Sequence, residues 1–167
     1  MLSDLLKNLD TTKDYVVNEI GSSIEAKIIQ DLQHKVYNKY QVEELPTHTF
    51  SLVYDNNEWH VFENHLKWGG TKLYPASEYS SDAKKFYINE YKLNTDVIDY
   101  LLYKNPGYSI LNLAEIVEKR LLHLPLPNTK GYVCSQTIAA CNYNICLDLK
   151  LEFEVITPAD FYHYFTM

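Results

Sequence analysis

The chain has 167 residues, 46% of them hydrophobic, and a formal net charge of −7. That is the size and composition of one globular domain with a single core. The acidic balance argues against nucleic acid as the main partner and against an anionic membrane surface, since both need a basic face; a lone arginine, Arg120, among fourteen lysines leaves no bidentate clamp for phosphate.

Residues 1–40 read as helical. Leu5, Leu6 and Leu9 open a short segment, and Ile20, Ile24, Ile28, Leu32, Val36 and Tyr40 then recur every four residues, with Ala26 and Ile29 beside them. Ser22 or Ser23 is the expected cap of the second helix, with Glu25 in its first turn. Leu45-Pro46 ends the pattern. From Thr47 the period becomes two: His48, Phe50, Leu52 and Tyr54 alternate with Thr49, Ser51 and Val53. Asp55-Asn56-Asn57-Glu58 is turn chemistry, and Trp59 to Asn64 reads as the returning strand of a hairpin. Lys67 to Ser81 reads as irregular, Phe86 to Tyr91 as a strand, and Thr95 to Leu102 as a helix capped by Asn94 or Thr95. Ile110 to Leu122 is an expected helix, with Leu113, Ile116, Val117 and Leu121 on one side, ended by His123 to Asn128. A helix follows from Cys134 to about Tyr143, then a strand from Leu149 to Ile156 and a last helical turn from Thr157. Helices around a small antiparallel sheet make this α+β, with residues 1–44 as a helical extension and residues 45–167 as the main domain.

No apolar run approaches the ~20 residues of a membrane span. The opening Met1 to Lys7 lacks a basic region followed by an apolar stretch, and the cysteines form neither a disulfide framework nor a Cys-x-x-Cys pair for zinc. A reduced, cytosolic protein is expected, although release by lysis or by a dedicated export machine would leave no mark. Nothing calls for a metal or an organic cofactor, and the oligomeric state is left open.

Cys134 is the candidate nucleophile. A β-rich approach, Gly131-Tyr132-Val133, ends at the thiol, and a helix of small and apolar residues starts after it. Unpaired N–H groups and the positive end of the helix dipole favour thiolate there. Cys141 and Cys146 read as packed small hydrophobes, the usual fate of a free cysteine. If Asn56-Asn57 is a two-residue loop, Tyr54 pairs with Trp59 and Leu52 with Val61, which leaves His48 and Glu63 as diagonal neighbours on one face, roughly 7–8 Å apart at the backbone. A carboxylate on one imidazole nitrogen leaves the other as a base. His65, beyond the strand, is the second candidate for that base; His60 sits on the opposite pleat.

The run Thr47-His48-Thr49-Phe50-Ser51-Leu52-Val53-Tyr54, a tight turn and Trp59-His60-Val61-Phe62-Glu63 together resemble the His and Glu strands of circularly permuted papain-like enzymes. These belong to the NlpC-type superfamily, in its YiiX-like and lecithin:retinol acyltransferase-like branches. Tyr132-Val133-Cys134-Ser135-Gln136 is similar to that group's Tyr-x-Cys-Ser-Glu segment, and Thr157-Pro158-Ala159-Asp160-Phe161 to its closing Thr/Ser-Pro-x-Asp element; Gly69-Gly70 with Leu73-Tyr74-Pro75 resembles the stretch after the Glu strand. The resemblance covers about residues 45–165, with Gln136 where glutamate is frequent. It implies a cysteine peptidase or amidase with Cys134 as nucleophile, His48 as base and Glu63 as its orienting partner. The implied substrates are amide bonds of peptidoglycan stem peptides first, then other protein amides, then lipid acyl esters, with acyl transfer or thioester cleavage as variants; an AT-rich genome, phage or bacterial, fits the composition. Two other readings stand beside it: a catalytically silent binding or structural module on the same fold, and an interaction protein with residues 1–44 as a docking arm.

Overall fold

The computed structural model describes residues 2–37, 44–122 and 131–166. Where the sequence reads as helix through residue 40, it holds helix α1 (Leu2–Leu6), strand β1 (Tyr15–Ile20) and helix α2 (Ile24–Tyr37). β1 corrects the helical expectation. Its Tyr-Val-Val start is β-forming, and all six residues are buried, which the middle of a sheet demands and a helix of one apolar stripe does not. The capping expectation for α2 holds: Ser23 Oγ accepts from Ala26 N at 3.0 Å. Its buried face differs from the expected one. Ile24 and Ile28 are 74% and 47% exposed, while Ala26, Ile29, Gln33 and Tyr37 turn inward. Apolar spacing cannot reveal that face because Gln33 is part of it: its Nε2 donates to Pro46 O at 2.7 Å and its Oε1 accepts from Ala159 N at 2.8 Å. Tyr40, expected on the same stripe, lies outside the described residues.

The hairpin forms as its alternation requires, with β2 (His48–Asp55) and β3 (Glu58–His65) joined by Asn56 and Asn57 at φ of 50° and 65°. Two left-handed residues give the turn whose twist matches the strands. Tyr54 pairs with Trp59 and Leu52 with Val61. The segment expected to be irregular contains β4 (Gly70–Pro75), paired with β3, and the next strand, β5 (Lys85–Glu90), pairs with β1. The order is β4-β3-β2-β1-β5, antiparallel throughout, so β1 is an internal strand of the same sheet as the hairpin.

Helices α3 (Thr95–Lys104) and α4 (Ile110–Leu122) lie where expected. Asn94 caps α3 by accepting from Asp96 N at 3.0 Å. Leu113, Ile116 and Val117 of α4 are buried, whereas Leu121 is exposed; residues 123–128, the expected stop, lie outside the described residues. Helix α5 (Cys134–Cys141) ends at Asn142, and α6 (Asn144–Leu149) follows. The strand expected over Leu149 to Ile156 is absent: Lys150 turns left-handed at φ 54° to close α6, and a 3-10 turn covers Phe153–Val155. Side chains of α5 hold this segment in place of a neighbouring strand, Ser135 Oγ on Ile156 O at 2.9 Å and Gln136 Nε2 on Glu154 O at 2.8 Å. Helix α7 (Pro158–Thr166) completes the α+β fold.

The sheet separates two apolar clusters. Val16 and Phe62 pack with Ile138, Ala139, Ile145 and Phe161 on the α5 side. Val17, Phe50, Leu52 and Val61 pack with Leu2 on the other. Among the described residues no helix is long and apolar enough to cross a membrane.

Candidate active site

His48 opens β2 and Glu63 lies near the end of β3. The register brings them together: His48 Nε2 is 2.7 Å from Glu63 Oε2. The other carboxylate oxygen accepts from the Tyr74 hydroxyl at 2.6 Å and from Trp68 Nε1 at 2.8 Å. Glu63 is 3% exposed. Burial alone would raise its carboxyl, but His48, Tyr74 and Trp68 all favour the anion and hold it at about 2.

Cys134 is the first residue of α5, where backbone N–H groups have no partner within the helix. Gln136 orders the approach to it. Its Oε1 accepts from Val133 N at 3.0 Å and from Asn112 Nδ2 at 3.1 Å, while its Nε2 takes the Glu154 carbonyl. A glutamate could accept the first two bonds but could not donate the third, so the amide suits this chain. The Cys134 thiol is close enough to the His48 ring to favour its protonated form, and since Glu63 engages Nε2, the nitrogen left to face the sulfur is Nδ1. Burial disfavours the imidazolium, yet the Cys134 and Glu63 charges outweigh it and hold His48 well above its usual value. The sulfur, imidazole and carboxylate named from the sequence thus meet in one place.

The competing side chains are placed elsewhere or engaged otherwise. His65 packs edge-on to His48, ring centroids 5.0 Å apart, and its Nδ1 accepts from Lys67 N at 3.0 Å. Burial and the His48 charge push it down to about 4, so it is neutral at pH 7. His60 pairs across from Val53 and lies 3.6 Å from Glu58 Oε1. Cys141 and Cys146 sit in the apolar cluster, where burial pushes their thiols up to about 12 and about 11.

Several contributors escape sequence reasoning. Trp68 and Tyr74 follow Glu63 closely in the chain, but they reach it only because the chain turns back after β3, Trp68 in the 3-10 turn Leu66–Trp68 and Tyr74 on β4. Tyr108 arrives from the α3–α4 connection: Ser109 N donates to Tyr132 O and Tyr132 N to Gly107 O, which lays the segment beside the approach to Cys134. Its ring stacks on His65 with centroids 6.2 Å apart, and its phenol is pushed up by burial and by the Cys134 and Glu63 charges. Glu19, on the strand read as helix, is the fourth.

A cleft opens beside His48. One part, about 320 Å³, is lined by Glu19, Ala26, Ile29, His48, Leu66 and Tyr108, and an adjoining part of about 280 Å³ reaches Glu63, Trp68 and Tyr74. Glu25 and Asp82 add acidic groups to both parts, and Lys67 a basic one. Among the described residues no group of three or more His, Cys, Asp or Glu side chains is arranged to hold a metal ion.

Comparison with family models finds none that matches the chain, and comparison with curated proteins finds no match.

Proposed function

We propose that the chain is a thiol-dependent hydrolase, a cysteine peptidase or amidase of the circularly permuted papain-like type. The observation that carries this reading is the His48 ring, held through Nε2 by the Glu63 carboxylate and close enough to Cys134 for the sulfur to favour the imidazolium. In the proposed reaction His48 takes the thiol proton and the Cys134 thiolate attacks an amide carbonyl carbon. The negative oxygen that results is stabilised by the Cys134 backbone N–H at the start of α5, a contribution of about 3–4 kcal/mol in comparable sites. His48 then returns the proton to the departing amine, leaving a thioester on Cys134. Water, deprotonated by His48, attacks the thioester; the acid leaves and the thiol is restored. Glu63 holds the ring in one orientation and stabilises its positive charge throughout. Peptidoglycan stem peptides are the first substrates to try, then isopeptides, then acyl esters.

One observation favours a second reading, the silent module. Cys134 is 2% exposed, and His48 and Tyr108 line the cleft whereas Cys134 does not. Iodoacetamide labelling read by peptide mass spectrometry separates the two. In an active site Cys134 labels at least tenfold faster than Cys141 and Cys146 at pH 7, and His48→Ala slows it to their rate. Equal, slow labelling of all three thiols would leave only the module.

A further inference from the structure

β1 carries a second carboxylate to His48. Glu19 and His48 are direct partners in the antiparallel β1–β2 ladder, so their side chains leave the sheet on the same face, with Cβ atoms about 5 Å apart. The backbone there is tied down: Thr47 N donates to Glu19 O at 2.7 Å, and Gly21 N to Thr47 Oγ1 at 2.9 Å. Glu19 is 5% exposed and lines both parts of the cleft. A carboxylate buried this far persists only with compensation. Part of it comes from the Tyr79 hydroxyl, which donates to Oε2, and from Ser81. The rest is the charge on His48.

The groups around the pair come from every neighbouring element. Glu63 faces His48 from β3, Cys134 from α5 and His65 from the end of β3. Tyr79, Ser81 and Asp82 face Glu19 from the connection before β5, whose own partner there is apolar, Phe86. Glu25 of α2, Lys67 of the turn after β3 and Tyr108 of the α3–α4 connection line the same cleft. Glu63 already fixes the ring through Nε2, so Glu19 is not needed for orientation. What it adds is negative charge from the other side of β2.

We propose that Glu19 is a positioning residue of the same site, acting through His48 to keep the ring protonated while Cys134 is a thiolate. This rests on the acyl-transfer reading of Cys134, His48 and Glu63. Burial leaves the Glu19 carboxyl raised on balance, and the His48 charge opposes that rise; two groups that act on each other in this way titrate together.

The test is an NMR titration of the His48 ring in a Cys134→Ala chain, which removes the contribution of sulfur, compared with the same chain carrying Glu19→Gln, Glu19→Asp or Glu63→Gln. Glu19→Gln should lower the His48 midpoint by about one pH unit, roughly tenfold in its protonation constant, while Glu19→Asp, which keeps the charge, should restore most of it. A midpoint within a few tenths of a unit of the parent in Glu19→Gln overturns the inference. If Glu63→Gln moves the midpoint and Glu19→Gln does not, the role of Glu19 alone fails; if neither moves it, the site reading fails with it. Should the Glu19→Gln chain not fold, the carboxyl carbon of Glu19 is titrated in the parent instead. Glu19 and His48 must then each show the other's inflection, and two independent single titrations overturn the proposal.

Discussion

At the scale of single residues, three donors converge on the Glu63 carboxylate, and only the anion accepts all of them. Its native value of about 2 against an ordinary 4.5 corresponds to roughly 3 kcal/mol of stability. That stabilisation is complete above pH 4.5 and drains away as the pH falls towards 2, because the unfolded chain takes up its proton first. Urea unfolding at pH 7 and at pH 3 should show Glu63→Gln losing much less stability on acidification than the parent. His48 works in the opposite sense. Its native value lies well above 6.5, so its stabilising charge is complete below that pH and is lost as the pH rises through the native value. These two residues and Cys134 were legible in the sequence for local reasons: a thiol at a helix start, and two side chains two pleats apart on one hairpin. Trp68, Tyr74, Tyr108 and Glu19 were not, because each reaches the cluster through a chain reversal that leaves no local pattern around it.

At the scale of elements, alternation reports which side chains are buried and says nothing about what satisfies the backbone. It succeeded for β2 and β3, where Asn56-Asn57 independently announces a reversal. It failed from Leu149 to Ile156, where half-buried and exposed positions alternate as far as Glu154 but the Glu154 and Ile156 carbonyls are taken by Gln136 and Ser135. β1 was hidden by isoleucines spaced four apart, two of which proved to face solvent. Because β1 lies between β2 and β5, a chain beginning at residue 45 should give no cooperative thermal transition by circular dichroism, whereas a detachable arm would leave the melt unchanged. Gln33 offers a finer check on how α2 is docked. Gln33→Leu would keep most of the buried volume and orphan Pro46 O and Ala159 N, costing about 2–3 kcal/mol in urea unfolding.

At the scale of the whole molecule, the sole arginine is spent inside. Arg120 Nη1 on α4 lies 2.9 and 2.8 Å from the two oxygens of Asp160 on α7, and the Tyr37 hydroxyl of α2 joins the same carboxylate. Thr157 N and Oγ1 donate to it as well, at 2.7 and 2.8 Å. Burial pushes the Asp160 carboxyl up to about 8, against the pull of the Arg120 ion pair; Arg120→Ala removes that pull from a carboxylate shared by three helices, at a cost of up to about 3–5 kcal/mol. Adding Asp160→Asn removes that anion and still leaves an acceptor for Thr157, so the double variant should unfold at higher urea than Arg120→Ala alone. The order of parts along the chain has a consequence of its own. Histidine and both of its acidic neighbours are translated long before the sulfur. On the proposed reading, a polypeptide still growing on the ribosome carries the base without its nucleophile, and the site is complete only after α5 has been made and has docked.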